Sequence, residues 1–251
     1  APPHPAAAPP HAPPAPRFAP PPFAAERLAP LLSPRIERAE LPLQRPPAWD
    51  YCSWGCARSV SLERRPNGAL VATVAHKPFA GVTSEMLRFW FDSNVDGEMV
   101  HPIDGKVYPR YLVWHPRDHL EQRTLAPGRA GDSKGAVWRI NEFFLASKPG
   151  GWLRSDDPAE WAAHLYTKVD LTVQKLDAAG LSLAFQLPIG GVKPVSLTHE
   201  WSDSPDGAVV VSTMNIGIPD GDGPAVRAVN RIAQAIFACG GDAEAAARDW
   251  Q

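Results

Sequence analysis

The chain has 251 residues, with 25 Lys plus Arg against 27 Asp plus Glu and a net charge of −2. That balance removes the electrostatic case for a nucleic acid or an anionic membrane as partner, and the length leaves room for one large domain or two small ones. Proline is the outlier, with 29 residues, 16 of them within residues 1–50.

Residues 1–25 are almost entirely Pro and Ala. Proline fixes φ and removes a backbone donor, and alanine has little to bury, so this stretch reads as an extended, partly polyproline-II tail. Residues 26–56 alternate short apolar pieces with Pro30, Pro34, Pro42, Pro46 and Pro47 and read as an arm or linker. The working domain is then residues 57–251, a single-domain size. No run of 18 apolar residues occurs, which argues against a membrane-spanning helix. No charged stretch followed by an apolar one marks a signal peptide. Cys52, Cys56 and Cys239 are too few for a disulfide framework. Together these favour a reducing, cytoplasmic setting, although a first residue that is Ala rather than Met leaves a removed export signal open.

From Ala57 the pattern changes. Arg58–Glu63, then Pro66-Asn-Gly68, then Ala69–Val74 predicts a hairpin, since Asn-Gly suits the positive φ of a tight turn and β-branched residues flank it. Thr83–Asp92 predicts a helix capped by Thr83 or Ser84, with Met86, Leu87, Trp90 and Phe91 at three-and-four spacing. Strands are expected over 136–145, 163–175, 181–187, 195–202 and 208–216. Residues 223 to about 250 predict a closing helix with an amphipathic first part that Gly240-Gly241 interrupts. The order is that of an α+β fold, and a curved antiparallel sheet gripping the C-terminal helix fits it.

The chemistry-bearing candidates are sparse. His115 and His119 sit four apart, but Pro116 argues against one helix carrying both, so a zincin-type pair is not expected. Glu142 stands in an apolar, aromatic strand; Ile140 and Phe144 share its face by alternation, which favours a pocket. His199 and Glu200 point to opposite faces of their strand, and His164 opens another. A His–Glu–His set on neighbouring strands could hold zinc with a position open for water or substrate, while a core histidine is the bland alternative at each position. No nucleophile elbow, dinucleotide fingerprint or phosphate-binding loop occurs.

Two motifs carry a resemblance. Pro78-Phe-Ala-Gly-Val-Thr-Ser-Glu-Met-Leu-Arg-Phe-Trp-Phe91, followed by Tyr111-Leu-Val-Trp-His-Pro-Arg-Asp-His119, resembles the 2,4-diacetylphloroglucinol hydrolase and phloretin hydrolase family over residues 59–216. The resemblance implies a START-like helix-grip fold and hydrolysis of the carbon–carbon bond between an acyl group and a polyhydroxylated aromatic ring. It implies zinc as cofactor, a small aromatic ketone as substrate, and a homodimer joined through N-terminal segments. Carried over by position, it makes His119, Glu142 and His199 metal ligands and Tyr111 a substrate-facing residue. Met86, Trp90 and Phe144 would then supply apolar walls, with core packing the alternative for each. The implied reaction begins with ketonisation of the ring and ends with the ring leaving as a stabilised enolate after zinc-activated water attacks the acyl carbon. Where the family has a His and a Glu four apart on the last helix, this chain reads Ala238-Cys-Gly-Gly-Asp242, which leaves Asp242 or Cys239 as the candidate last ligand. The absent histidine favours a second reading: a helix-grip module that holds a hydrophobic or aromatic small molecule without turning it over.

Overall fold

In a computed structural model, residue 46 and residues 57–93, 96–115, 119–129, 133–144, 165–187, 191–237 and 243–250 are described. The tail at 1–25, Cys52, Cys56, His164, Cys239 and Asp242 lie outside them, as does nearly all of the arm at 26–56 and the side chain of Phe144.

Ten strands and four helices follow one another along these residues. β1 (Ala57–Arg64) and β2 (Leu70–His76) form the expected hairpin, closed by hydrogen bonds between Arg65 and both Gly68 and Ala69, with Gly68 at φ +87°. Then come α1 (Ser84–Ser93), β3 (Glu98–Val100), β4 (Val107–Pro109) and the one-turn helix α2 (Arg110–Trp114). The strands β5 (His119–Ala126), β6 (Val137–Phe144), β7 (Leu165–Asp177), β8 (Gly180–Phe185), β9 (Val195–Ser204) and β10 (Gly207–Ile216) follow. The C-terminal helical stretch is two helices, α3 (Pro224–Phe237) and α4 (Ala243–Trp250), so the predicted interruption at the glycine pair falls between them.

Eight strands make one antiparallel sheet in the order β1-β2-β10-β9-β8-β7-β6-β5, and β3 pairs with β4 alone. Alternation fixes the inner face: Ala208, Val210, Ser212, Met214 and Ile216 of β10 are buried in turn. The helix α4 touches both β2 and β6, which stand second and seventh in the sheet. A flat sheet would hold those strands about 24 Å apart at about 4.8 Å per step, against about 10 Å for the width of a helix. The sheet therefore curls around α4. Across the inner face, α1 lies against β7, β8 and β9. The fold is α+β with a curved antiparallel sheet. No helix among the described residues is long and apolar enough to cross a membrane.

The helix α1 starts where the sequence predicts, with Thr83 Oγ1 accepting from the Met86 amide at 3.2 Å and Asp203 Oδ1 accepting from the Ser84 amide at 2.7 Å. Its buried stripe is Ser84, Leu87 and Phe91. Met86 lies a residue off that stripe and is 55% exposed, so it is not the core residue that one reading of it expected.

Candidate functional site

The short helix α2 and the start of β5 are joined through Tyr111, whose backbone carbonyl accepts from the His115 amide at 3.5 Å and faces Nδ1 of His119 at 2.9 Å. A carbonyl can only accept, so Nδ1 carries the proton and Nε2 is the outward-facing nitrogen of the ring. The Tyr111 and His119 rings stack with centroids 3.8 Å apart and planes 7° from parallel. On β6, Glu142 lies directly across the ladder from His119. The register slips between His119 and Glu121, a bulge that turns His119 toward Glu142 on the inner face, where Gln122 also points. Nε2 of His119 is 3.4 Å from Oε1 of Glu142, and the Tyr111 hydroxyl donates to the same oxygen.

Buried Tyr111 and half-buried His119 and Glu142 are thus brought together, with Ile140 buried on the same face of β6 as Glu142, as predicted. His115 is adjacent, its ring 5.2 Å from that of His119, but it ends α2 while His119 opens a strand, so the two never share a helix face. Trp90 and Trp114 meet tilted by 34° with centroids 5.5 Å apart, and Phe91 meets Trp114 edge-on at 5.2 Å.

His199 keeps different company. It sits on the inner face of β9, opposite Leu181 of β8 and Ser212 of β10. Its Nδ1 is 2.7 Å from Ser212 Oγ, and its ring lies parallel to Phe91 with centroids 6.0 Å apart. His119, Glu142 and His199 do not gather around one point. No group of three His, Cys, Asp or Glu side chains that could hold a metal ion occurs among the described residues. The corner that Asp242 or Cys239 would supply falls outside them. Sequence reasoning gave no role to Ser212 or His76, which join His199 only through the strand order.

Burial pushes the His199 imidazolium down to a pKa of about 4, and the nearby His76 adds to the effect. Burial lowers His76 as well. Unfolded histidine takes its proton near pH 6.5, so unfolding takes up a proton between pH 6.5 and about 4. Stability is expected to be full above pH 6.5 and to fall as pH drops through that window, by about 3.5 kcal/mol for His199 alone at about 1.4 kcal/mol per unit. Denaturant titrations from pH 7 to pH 4 should show this slope, and His199→Asn should flatten it. An equally steep slope in the variant would assign the acid sensitivity elsewhere.

No protein-family model matches the chain, and no curated protein matches it. Among solved structures, Ara h 8.0201 is similar at 13% identity over 66% of this chain and 95% of its own, with a TM-score of 0.33. A conserved protein of unknown function from Enterococcus faecalis is similar at 10% identity over 72% of this chain and 79% of its own, with a TM-score of 0.34. A protein from Rhodobacter sphaeroides is similar at 10% identity over 71% and 95%, with a TM-score of 0.33. Likenesses of this size identify neither a family nor an activity.

Proposed function

We propose that this is a helix-grip hydrolase that cleaves the carbon–carbon bond between an acyl group and a polyhydroxylated aromatic ring, with zinc held at His119 and Glu142. One observation carries the reading. With Nδ1 committed as donor to the Tyr111 carbonyl, Nε2 of neutral His119 turns a lone pair toward the Glu142 carboxylate across 3.4 Å. Two electron-rich atoms at that distance require a positive charge between them, either a proton on Nε2 or a metal ion. Two ligands on a tetrahedral zinc with bonds of about 2.0–2.1 Å stand about 3.3 Å apart. The donor set therefore fits, and the carbonyl behind Nδ1 is the outer-sphere partner that ligating histidines use.

Zinc there would supply Lewis-acid polarisation of the acyl carbonyl. The chain's own residues do the rest. Glu142, through its second carboxylate oxygen, would take a proton from the attacking water. The Tyr111 hydroxyl, released from Glu142 as that proton arrives, can turn to an oxygen of the ring and hold it while the acyl group leaves. Trp90, Trp114 and Phe91 exclude water from one side of a planar substrate.

Purified protein is expected to carry about one zinc per chain, and His119→Ala to lose it, since one of few ligands is removed. Metal analysis of both proteins checks this. Wild-type protein that holds no zinc and gains none on addition sinks the hydrolase reading. The second reading, a helix-grip module that binds an aromatic small molecule without turnover, rests on the finding that the described residues bring only two ligands together. It would then be the one to pursue.

A further inference from the structure

The strands β2, β10 and β9 run side by side; on their inner face His199 stands directly across from Ser212, and His76 lies two residues beyond Val74, the residue opposite Ser212, so that the three form a diagonal row. Ser212 is buried between the two imidazoles, its Oγ 2.7 Å from Nδ1 of His199 and 3.4 Å from Nε2 of His76. A hydroxyl has one proton to give, and two arrangements use it between the rings. In the first, His76 donates to Ser212, Ser212 donates to His199, and His199 presents Nε2–H. In the second, every bond is reversed and His199 presents a bare Nε2. The row thus offers either a donor or an acceptor at one atom with no change in net charge.

Nε2 of His199 has no partner among the described residues, and the residue is half-buried, so a small molecule can reach the ring. Two residues on and on the same face, Trp201 is 4% exposed, and its indole N–H has no acceptor among the described residues. Phe91 lies parallel to both rings, at 6.0 Å from His199 and 5.8 Å from Trp201. A buried donor without an acceptor in a native interior calls for a water or a ligand to complete it.

We propose that His199, Ser212, His76 and Trp201 form a subsite that recognises a hydroxyl or keto oxygen of an aromatic ring, distinct from the Tyr111–His119–Glu142 cluster. The oxygen class follows from the row: a phenolic oxygen both donates and accepts and a keto oxygen only accepts, and Nε2 can answer either. Burial holds both histidines neutral near pH 7, so the row offers no cation for a carboxylate or phosphate. The flat aromatic flank of Phe91 and Trp201 suits a ring. The inference rests on the reading above for its ligand class and uses none of its metal chemistry.

Zinc-stripped protein titrated calorimetrically with phloroglucinol tests it. Wild type is expected to bind, Ser212→Ala to bind about tenfold more weakly, the loss of one hydrogen bond, and Ser212→Thr to recover most of the affinity. His199→Asn, which retains a polar group near Ser212 but lacks Nε2, should lose at least as much as Ser212→Ala. No binding by wild type, or wild-type affinity in either Ser212→Ala or His199→Asn, overturns the subsite. Loss of zinc and turnover with this binding pattern intact would overturn the hydrolase reading alone.

Discussion

Replacing Glu142 with glutamine is expected to cut the turnover of an acylphloroglucinol by about 10²–10⁴-fold, the range for removing a positioned proton acceptor, while leaving the fold intact. Glutamine keeps the length of the side chain and still offers an oxygen to the Tyr111 hydroxyl. It loses the charge that faces Nε2 of His119 and the capacity to take a proton. Bound zinc should fall with it, because a neutral amide is a much poorer ligand than a carboxylate. Tyr111→Phe should be milder in metal content, since Tyr111 anchors His119 through its backbone carbonyl, which that change retains. Its effect should appear in kcat, with the ring of phenylalanine still stacking on the imidazole. Steady-state kinetics with zinc analysis on the two variants separates these roles. Glu142→Gln with kcat/KM within about threefold of wild type would remove Glu142 from the chemistry.

The contrast between what could be read from the residues and what could not follows element length and contact range. The β1–β2 hairpin is legible because Asn67-Gly68 and the flanking alternation act within a dozen residues. The strand β10 is legible because its inward row is long enough to show its period, and β7 and β9 because of their length. The helix α2 has five residues, barely more than one turn, and no periodicity can show at that length. The strand β5 places Leu120, Gln122 and Thr124 inward against Glu121 and Arg123 outward, so polar residues stand on both faces and the alternation fails. At the site, Glu142 stands out because a carboxylate in an apolar strand must have a reason. The bulge that aims His119 at it leaves no mark in the sequence. His199 is visible as a residue type, but its partners Ser212 and His76 depend on the order of strands in the sheet, which no local pattern encodes.

Asn230→Leu should destabilise the protein by about 2–4 kcal/mol, because a buried and a half-buried backbone group lose their partner at once. Asn230 is fully buried on α3. Its Oδ1 accepts from the Ile218 amide at 2.7 Å, and its Nδ2 donates to the Asn67 carbonyl at 3.1 Å. From the other side, Asn67 Nδ2 donates to the carbonyls of Ile218, Pro219 and Gly221 at 2.8–3.2 Å. The two asparagines therefore fasten the β1–β2 turn to the loop between β10 and α3, two segments about 150 residues apart in sequence. Gly217 completes the arrangement at φ +109°, where an added Cβ would stand 2.8 Å from Oδ1 of Asn230. Gly217→Ala should thus destabilise in the same direction, through backbone strain and the collision together. Asn67→Ala combined with Asn230→Leu should cost less than the sum of the two, since both act on Ile218 and the same loop. Urea unfolding of the single and double variants reads all of this. A change below about 0.5 kcal/mol for Asn230→Leu, the size of an ordinary surface substitution, would show that the network is dispensable. Well below the unfolding midpoint, Asn230→Leu should retain wild-type kcat/KM, because Asn230 touches none of Tyr111, His119 and Glu142. It is the converse of Glu142→Gln, which should lose the chemistry and keep the fold.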